Sequence, residues 1–221
     1  MRRALIDLHT HTLLSDGHLL PEELVRRCEV AGYRALVVTD HVGMSNVAFV
    51  VGALVRLCES LRGVTPVELL PGAELTHVPP ELAARTTQAA RDAGARLVLG
   101  HGETIAEPVQ PGSNRAYIEA GVDVLAHPGL LTREDAELAQ ARAVCLEVSG
   151  RRGHCFTNGH VVQMSRATGA GLVFGTDAHD PGDVMARDQA ERVARGAGMS
   201  AEEVASMFDR AETVFHRSAA T

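Results

Sequence analysis

Short unbroken apolar runs alternate along the chain with stretches in which apolar residues recur every three or four positions. The runs are "ALIDLHTH", "RALVVTDH", "VELLPGAEL", "ARLVLGHGE", "VDVLAHPG", "AVCLEVSG" and "GLVFGTDAH", each following a glycine or turn cluster. Runs of this length, rich in Val, Leu and Ile and without polar alternation, predict seven strands buried on both faces. Between them "PEELVRRCEVAG", "NVAFVVGALVRLCESLRG", "PPELAARTTQAARDAGA" and "TREDAELAQARA" predict amphipathic helices, with Pro near several starts and Gly near several ends. Leu20 before Pro21 is a poor N-cap, so the first helix boundary is soft. "SAEEVASMFDRAETVFHR" opens on the capping-box pair Ser200 and Glu203 and predicts a last helix. Val161, Val162 and Met164 stand at helical spacing and predict core packing.

Buried strands alternating with helices imply a parallel sheet covered by helices, either open and doubly wound or closed as a barrel. The polar residues decide between the two. An open sheet gathers its site at one switch point, whereas a barrel carries the C-terminal ends of many strands to one mouth. Here the strands end in His9 and His11, His41, Glu74, His101, His127, and Asp177 with His179; the sixth offers only Glu147. That distribution predicts a barrel. Residues two apart on a strand share a face, so His9 pairs with His11 and Asp177 with His179, and closure makes the two pairs neighbours. Asp40 and His41 are adjacent and must point differently: His41 is expected inward, Asp40 as an acceptor orienting an imidazole. Imidazoles and carboxylates without thiolates suit zinc, manganese or iron, and a carboxylate such as Glu74 can bridge two ions.

Composition narrows this picture. The 221 residues fit one domain, 1–221, near the lower edge for an α/β barrel, and a 45% hydrophobic and 22% charged share is that of a folded globular chain. A net charge of -7 with 3% aromatic residues argues against a basic, stacking surface for nucleic acid. All basic residues are arginine, so a carboxylated lysine cannot bridge metals here. Cys28, Cys58, Cys145 and Cys155 form no CxxC pair and read as small hydrophobes of a reducing compartment. No segment approaches the roughly 20 apolar residues of a membrane span, and the expected location is cytoplasmic.

Taken in order, "DLHTHTLLSDG", "VVTDH", "GAE", "GHGE", "AHPG" and "GTDAH" resemble the polymerase and histidinol phosphatase (PHP) family over essentially the whole chain. The resemblance implies a distorted (β/α)7 TIM-like barrel with a trinuclear metal centre. Carried over, His9, His11, Glu74 and Asp177 hold one ion; Glu74, His101 and His127 the second; Asp16, His41 and His179 the third. Some members have histidine in place of Asp16. Three carboxylates against three divalent ions leave about three positive charges, which favours anionic phosphate oxygens. The implied activity is hydrolysis of a small phosphomonoester by a hydroxide bridging the first two ions.

Guanidinium forks suit phosphate, which makes Arg115, Arg151 and Arg152, with His154, candidate substrate contacts. Glu103 beside His101 is expected to orient a ligand or touch substrate, and Glu147 to cap the sixth strand. His18, His77, His160 and His216 are read as solvated or structural. Alternatives are a phosphodiesterase or exonuclease acting on nucleotides, an amidohydrolase-type deaminase, and a non-catalytic PHP scaffold. The oligomeric state is left open.

Overall fold

The computed structural model describes residues 4–220. Its strands are β1 (Leu5–Asp7), β2 (Tyr33–Val38), β3 (His41–Val42), β4 (Glu68–Leu75), β5 (Leu97–His101), β6 (Val124–Ala126), β7 (Cys145–Ser149) and β8 (Leu172–Gly175). Seven of them run parallel in the order β1-β2-β4-β5-β6-β7-β8, and the two-residue β3 pairs with β4 beyond the end of β2. The helices are α1 (Pro21–Val30), α2 (Val47–Leu61), α3 (Ala83–Asp92), α4 (Ser113–Ala120), α5 (Arg133–Arg142), α6 (Asn158–Thr168), α7 (Arg187–Gly196) and α8 (Ala201–Ala220). This is a distorted (β/α)7 barrel. The run "RALVVTDH" is one strand in the sequence pattern; in the fold it breaks at Thr39 and Asp40, so that His41 pairs with Glu74.

Alternation along the strands sorts two cores. Leu36, Val38, Val98, Leu125, Leu146, Val148 and Phe174 face the helices, whereas Ile6, Leu8, Ala35, Val37, Leu97, Leu99, Val124, Ala126, Cys145 and Val173 fill the interior. Ala211, Val214 and Phe215 of α8 join the interior set and cover the barrel from below. The buried histidines and the carboxylates beside them lie beyond it, at the upper end. Val161 and Val162 are buried on α6, while Met164 is only partly so. Pro21 occupies the first turn of α1 after Leu20, which makes no side-chain cap. All four cysteines are free. No helix among the described residues is long and apolar enough to cross a membrane.

β1 and β8 meet without a full ladder. The seam is closed by two backbone bonds, Asp177 N–H to His9 O and His11 N–H to Ala178 O, both 2.9 Å. Beneath them the buried Asp7 carboxylate accepts from Thr176 N–H at 3.1 Å, from the Thr176 hydroxyl and from His9 N–H at 3.2 Å. Burial pushes the Asp7 carboxyl up to about 6, although the Thr176 hydrogen bonds pull the other way.

Candidate metal centre

At the mouth the strand-end residues converge. Glu74 lies on β4 with its two oxygens turned to different neighbours: Oε2 lies 3.4 Å from His9 Nε2 and 3.6 Å from His11 Nε2, Oε1 3.3 Å from His127 Nε2. Asp177 is placed the same way. Its Oδ1 is 3.3 Å from His11 Nε2, and its Oδ2 is 3.6 Å from His127 Nε2. Asp16 Oδ1 stands 3.2 Å from His41 Nε2 and 3.1 Å from His179 Nε2. Ligands bound at about 2.0–2.1 Å to one ion lie about 3.0–3.4 Å from one another, and the contacts here run from 3.1 to 3.6 Å. The donor atoms of Glu74, His101 and His127 cluster within 4.8 Å, as do those of His11, Asp16, His41 and His179. His11 thus sits between the first and third groups, with its ring centroid 4.2 Å from that of His41 and 4.1 Å from that of His179.

The buried atoms fit cations. His9 Nε2, His11 Nε2 and both Glu74 oxygens are shielded from solvent yet receive no hydrogen bond of acceptable geometry. Leaving a polar atom so desolvated costs about 1–3 kcal/mol, a cost that ligation to a divalent ion removes. Burial pushes Glu74 and Asp177 toward the neutral acid, but the imidazoles around them, His9 foremost, outweigh it and hold both carboxyls well below the usual range. Burial also opposes charge on His9, yet Glu147, Glu74 and Asp177 raise it well above the ordinary imidazole value. His11 moves the opposite way, lowered by burial and then by His41. Among the described residues, four outside glycine have positive φ, and three of them line the mouth: His77 (50°), His127 (28°) and Asp177 (54°). Such backbone is sparsely populated for residues with a side chain and is tolerated where function needs the geometry.

Glu147 does more than cap a strand. The pleat of β7 turns it into the barrel, where Oε1 lies 2.7 Å from His9 Nδ1 and Oε2 accepts from His127 N–H at 3.0 Å. A proton on His9 Nδ1 leaves Nε2 free as a ligand atom. Gly175 makes room for this: a Cβ there would land on Glu147 Oε1. Strand parity pointed to Glu147, since Cys145 of the same strand faces the interior. Asp40 is an acceptor as expected, but not from an imidazole. It takes Thr12 N–H and Oγ1–H at 2.7 Å each and Ser15 Oγ–H at 2.6 Å, pinning the turn that carries Asp16.

The candidate substrate contacts divide. Arg151 lies at the mouth, donating from Nη1 to Asp177 O at 3.2 Å, with Asp183 3.7 Å away. His154 is buried there too, its ring 4.1 Å from that of His127 and its Nδ1 3.0 Å from Thr104 Oγ1. Arg152 is exposed. Arg115 instead lies on α4, reaching Asp135 of α5 at 3.0 Å, because its segment folds as a helix on the outside of the barrel. Glu103 accepts from Gly112 N–H and Asn114 N–H at 3.0 and 2.9 Å, capping α4 rather than orienting a ligand. His18 and His216 are exposed beside Asp180 and Glu212, and His160 contacts Leu131 O. His77, read as solvated, lies 3.2 Å from Glu107, a residue the sequence reading passed over. Glu107 follows no strand run directly and carried no spacing signal.

A parallel barrel with histidines and carboxylates collected at its C-terminal mouth defines the class of protein. The PHP domain model matches residues 7–150, and a Methanocaldococcus jannaschii protein, the uncharacterised MJ1295, is 40% identical over 200 residues, 90% of this chain and 92% of its own. The chain belongs to the PHP domain family. Similar folds include the Lactococcus lactis histidinol phosphate phosphatase complexed with zinc, L-histidinol and phosphate, at 15% identity and TM-score 0.61, covering 89% of this chain and 94% of that one. Ochratoxinase of A. niger is similar too, at 12% identity and TM-score 0.65, covering 96% of this chain and 71% of that one.

Proposed function

We propose that the chain is a metal-dependent hydrolase of a small phosphomonoester, using three divalent ions (zinc, manganese or iron) held by His9, His11, Asp16, His41, Glu74, His101, His127, Asp177 and His179. One observation carries the reading: Glu74 and Asp177 each straddle two groups of imidazoles, and the Arg151 guanidinium stands beside Asp177. Divalent ions bound there supply Lewis acidity toward phosphate oxygens and toward water. The chain's own groups do the rest. Glu147 holds a proton at His9 Nδ1, Asp40 fixes the turn that presents Asp16, and Arg151 pairs with an anionic oxygen of the substrate. His154 stands with its ring against that of His127 as a second candidate contact. The charge balance and the half-buried single arginine fit a compact anion better than a nucleic acid strand.

The test is phosphate release from a panel of phosphomonoesters, with an aryl phosphate, phosphodiesters and N-acyl amino acids alongside, with metal content measured on the same sample. Release from monoesters in proportion to bound metal is expected. Turnover of diesters or amides instead would move the assignment to a nuclease or amidohydrolase activity, and no turnover with no bound metal would leave a scaffold.

A further inference from the structure

Outside the nine ligand positions, one group of donors has the spacing of a cation site. Glu107 Oε2 lies 3.1 Å from His101 Nε2 and 3.2 Å from His77 Nε2, nearly the same pair of distances that Asp16 Oδ1 keeps to His41 and His179. Its other oxygen, Oε1, is 3.3 Å from His154 Nε2. The rings are set for ligation. His101 Nδ1 faces Gly102 O at 3.2 Å and His154 Nδ1 faces Thr104 Oγ1, so in both rings Nε2 is the atom turned to Glu107. His77 reaches the group from a left-handed backbone in the bend that follows β4, one residue beyond Thr76. Two imidazoles and a carboxylate with open positions form a recurrent zinc donor set.

Exposure falls along the group, from 43% for the His77 side chain and 36% for Glu107 to 2% for His101. His101 also belongs to the buried set with Glu74 and His127. Its Nε2 has a single lone pair, so it serves one ion at a time. We propose that His77, Glu107 and His101 form an outer divalent-cation site, flanked by His154, that captures an ion from solvent and hands it through His101 to Glu74 and His127.

This proposal rests on the buried centre binding metal, and one experiment separates the two. Metal-free protein is mixed rapidly with zinc buffered by a chromophoric chelator, and zinc transfer is followed for wild type, His77→Asn and Glu107→Gln. Asn tolerates the left-handed backbone of position 77. Both side chains are more than a third exposed, and circular dichroism of the metal-free variants verifies the fold. Wild type is expected to load in two phases; each variant should lose the faster phase and load at least tenfold more slowly, ending at the wild-type stoichiometry. Loading at the wild-type rate overturns the outer site. A final stoichiometry one ion lower also overturns the transit, making Glu107 and His77 permanent ligands instead. If wild type takes up no zinc, the buried centre and the outer site fail together, whereas unchanged loading of the variants removes the outer site alone.

Discussion

Replacing Glu147 by Gln changes one atom and leaves the volume intact. The carboxylate accepts from two buried donors at once, His9 Nδ1–H at 2.7 Å and His127 N–H at 3.0 Å. An amide has one acceptor oxygen, so in either orientation its NH2 group faces one of these donors. Turned toward His127, the amide leaves a buried donor-donor conflict worth about 1–3 kcal/mol. Turned toward His9, it asks Nδ1 to accept, which moves the ring proton to Nε2, the atom aimed at Glu74 and Asp177. The first route burdens the fold at His127, and the second takes its cost directly from ligation at His9. Zinc affinity is expected to fall about 10–100-fold, or about 1.4–2.7 kcal/mol. Chelator-competition titration measures it, and melts with and without zinc isolate the zinc-dependent increment in Tm from any loss in the metal-free fold. Equal zinc affinity in Glu147→Gln and wild type would refute the assignment of Glu147 to orienting His9.

Other expectations follow from the same geometry. Burial opposes charge on His41, yet Asp16 and Glu74 raise it from its ordinary 6.5 to about 10 in the metal-free chain. Zinc uptake at pH 8 should therefore expel a proton from it, seen by calorimetry as a buffer-dependent enthalpy. Because that shift is upward, its contribution to metal-free stability is complete below pH 6.5 and vanishes as pH rises through about 10; melts across that window check the sign. Gly175→Ala drives a methyl into Glu147 Oε1 and should cost about 1–3 kcal/mol in denaturant titrations while weakening zinc binding. Arg151→Ala should raise KM for phosphomonoesters about tenfold or more, whereas Arg115→Ala should leave kcat/KM unchanged and alter stability by at most about 1 kcal/mol. Phe215→Ala opens the barrel floor and should cost about 3–5 kcal/mol.

Much of the barrel was legible because each strand is covered on both faces and so reads as an unbroken apolar run. The polar residues terminating those runs marked the mouth, which is how His9, His101, His127 and Asp177 stood out before any geometry. Helices α4 and α7 left a weaker trace: α4 is short and starts after Gly112, and α7 buries little beyond Ala190 and Ala194. Arg115 was misplaced for that reason, since this candidate substrate contact rides on a helix outside the mouth. Asp40 and Glu103 were seen to be acceptors, but their partners are backbone and hydroxyl groups that no spacing rule encodes. Glu107 was missed because its loop folds back across His101 by turns alone. Glu147 was named and undervalued: its inward parity could be read from β7, whereas its reach to His9 depended on Gly175 of the next strand, β8.

The seam between β1 and β8 makes the barrel's weakest joint and the proposed site's first ion the same place. Neighbouring strands elsewhere pair directly, strand to strand, but here two backbone bonds beyond the strand ends and the Asp7 carboxylate do the work, and His9, His11 and Asp177 sit on top of them. An ion shared by those three ligands would act as a clasp across residues 168 apart in the chain (177 minus 9), closing a large loop in the way a cross-link does. Stripping metal should then be felt as faster hydrogen exchange at His11 and Asp177, with the β4–β5 ladder unmoved. It also sets the order of events during synthesis, because no shorter stretch of chain carries both halves of the clasp.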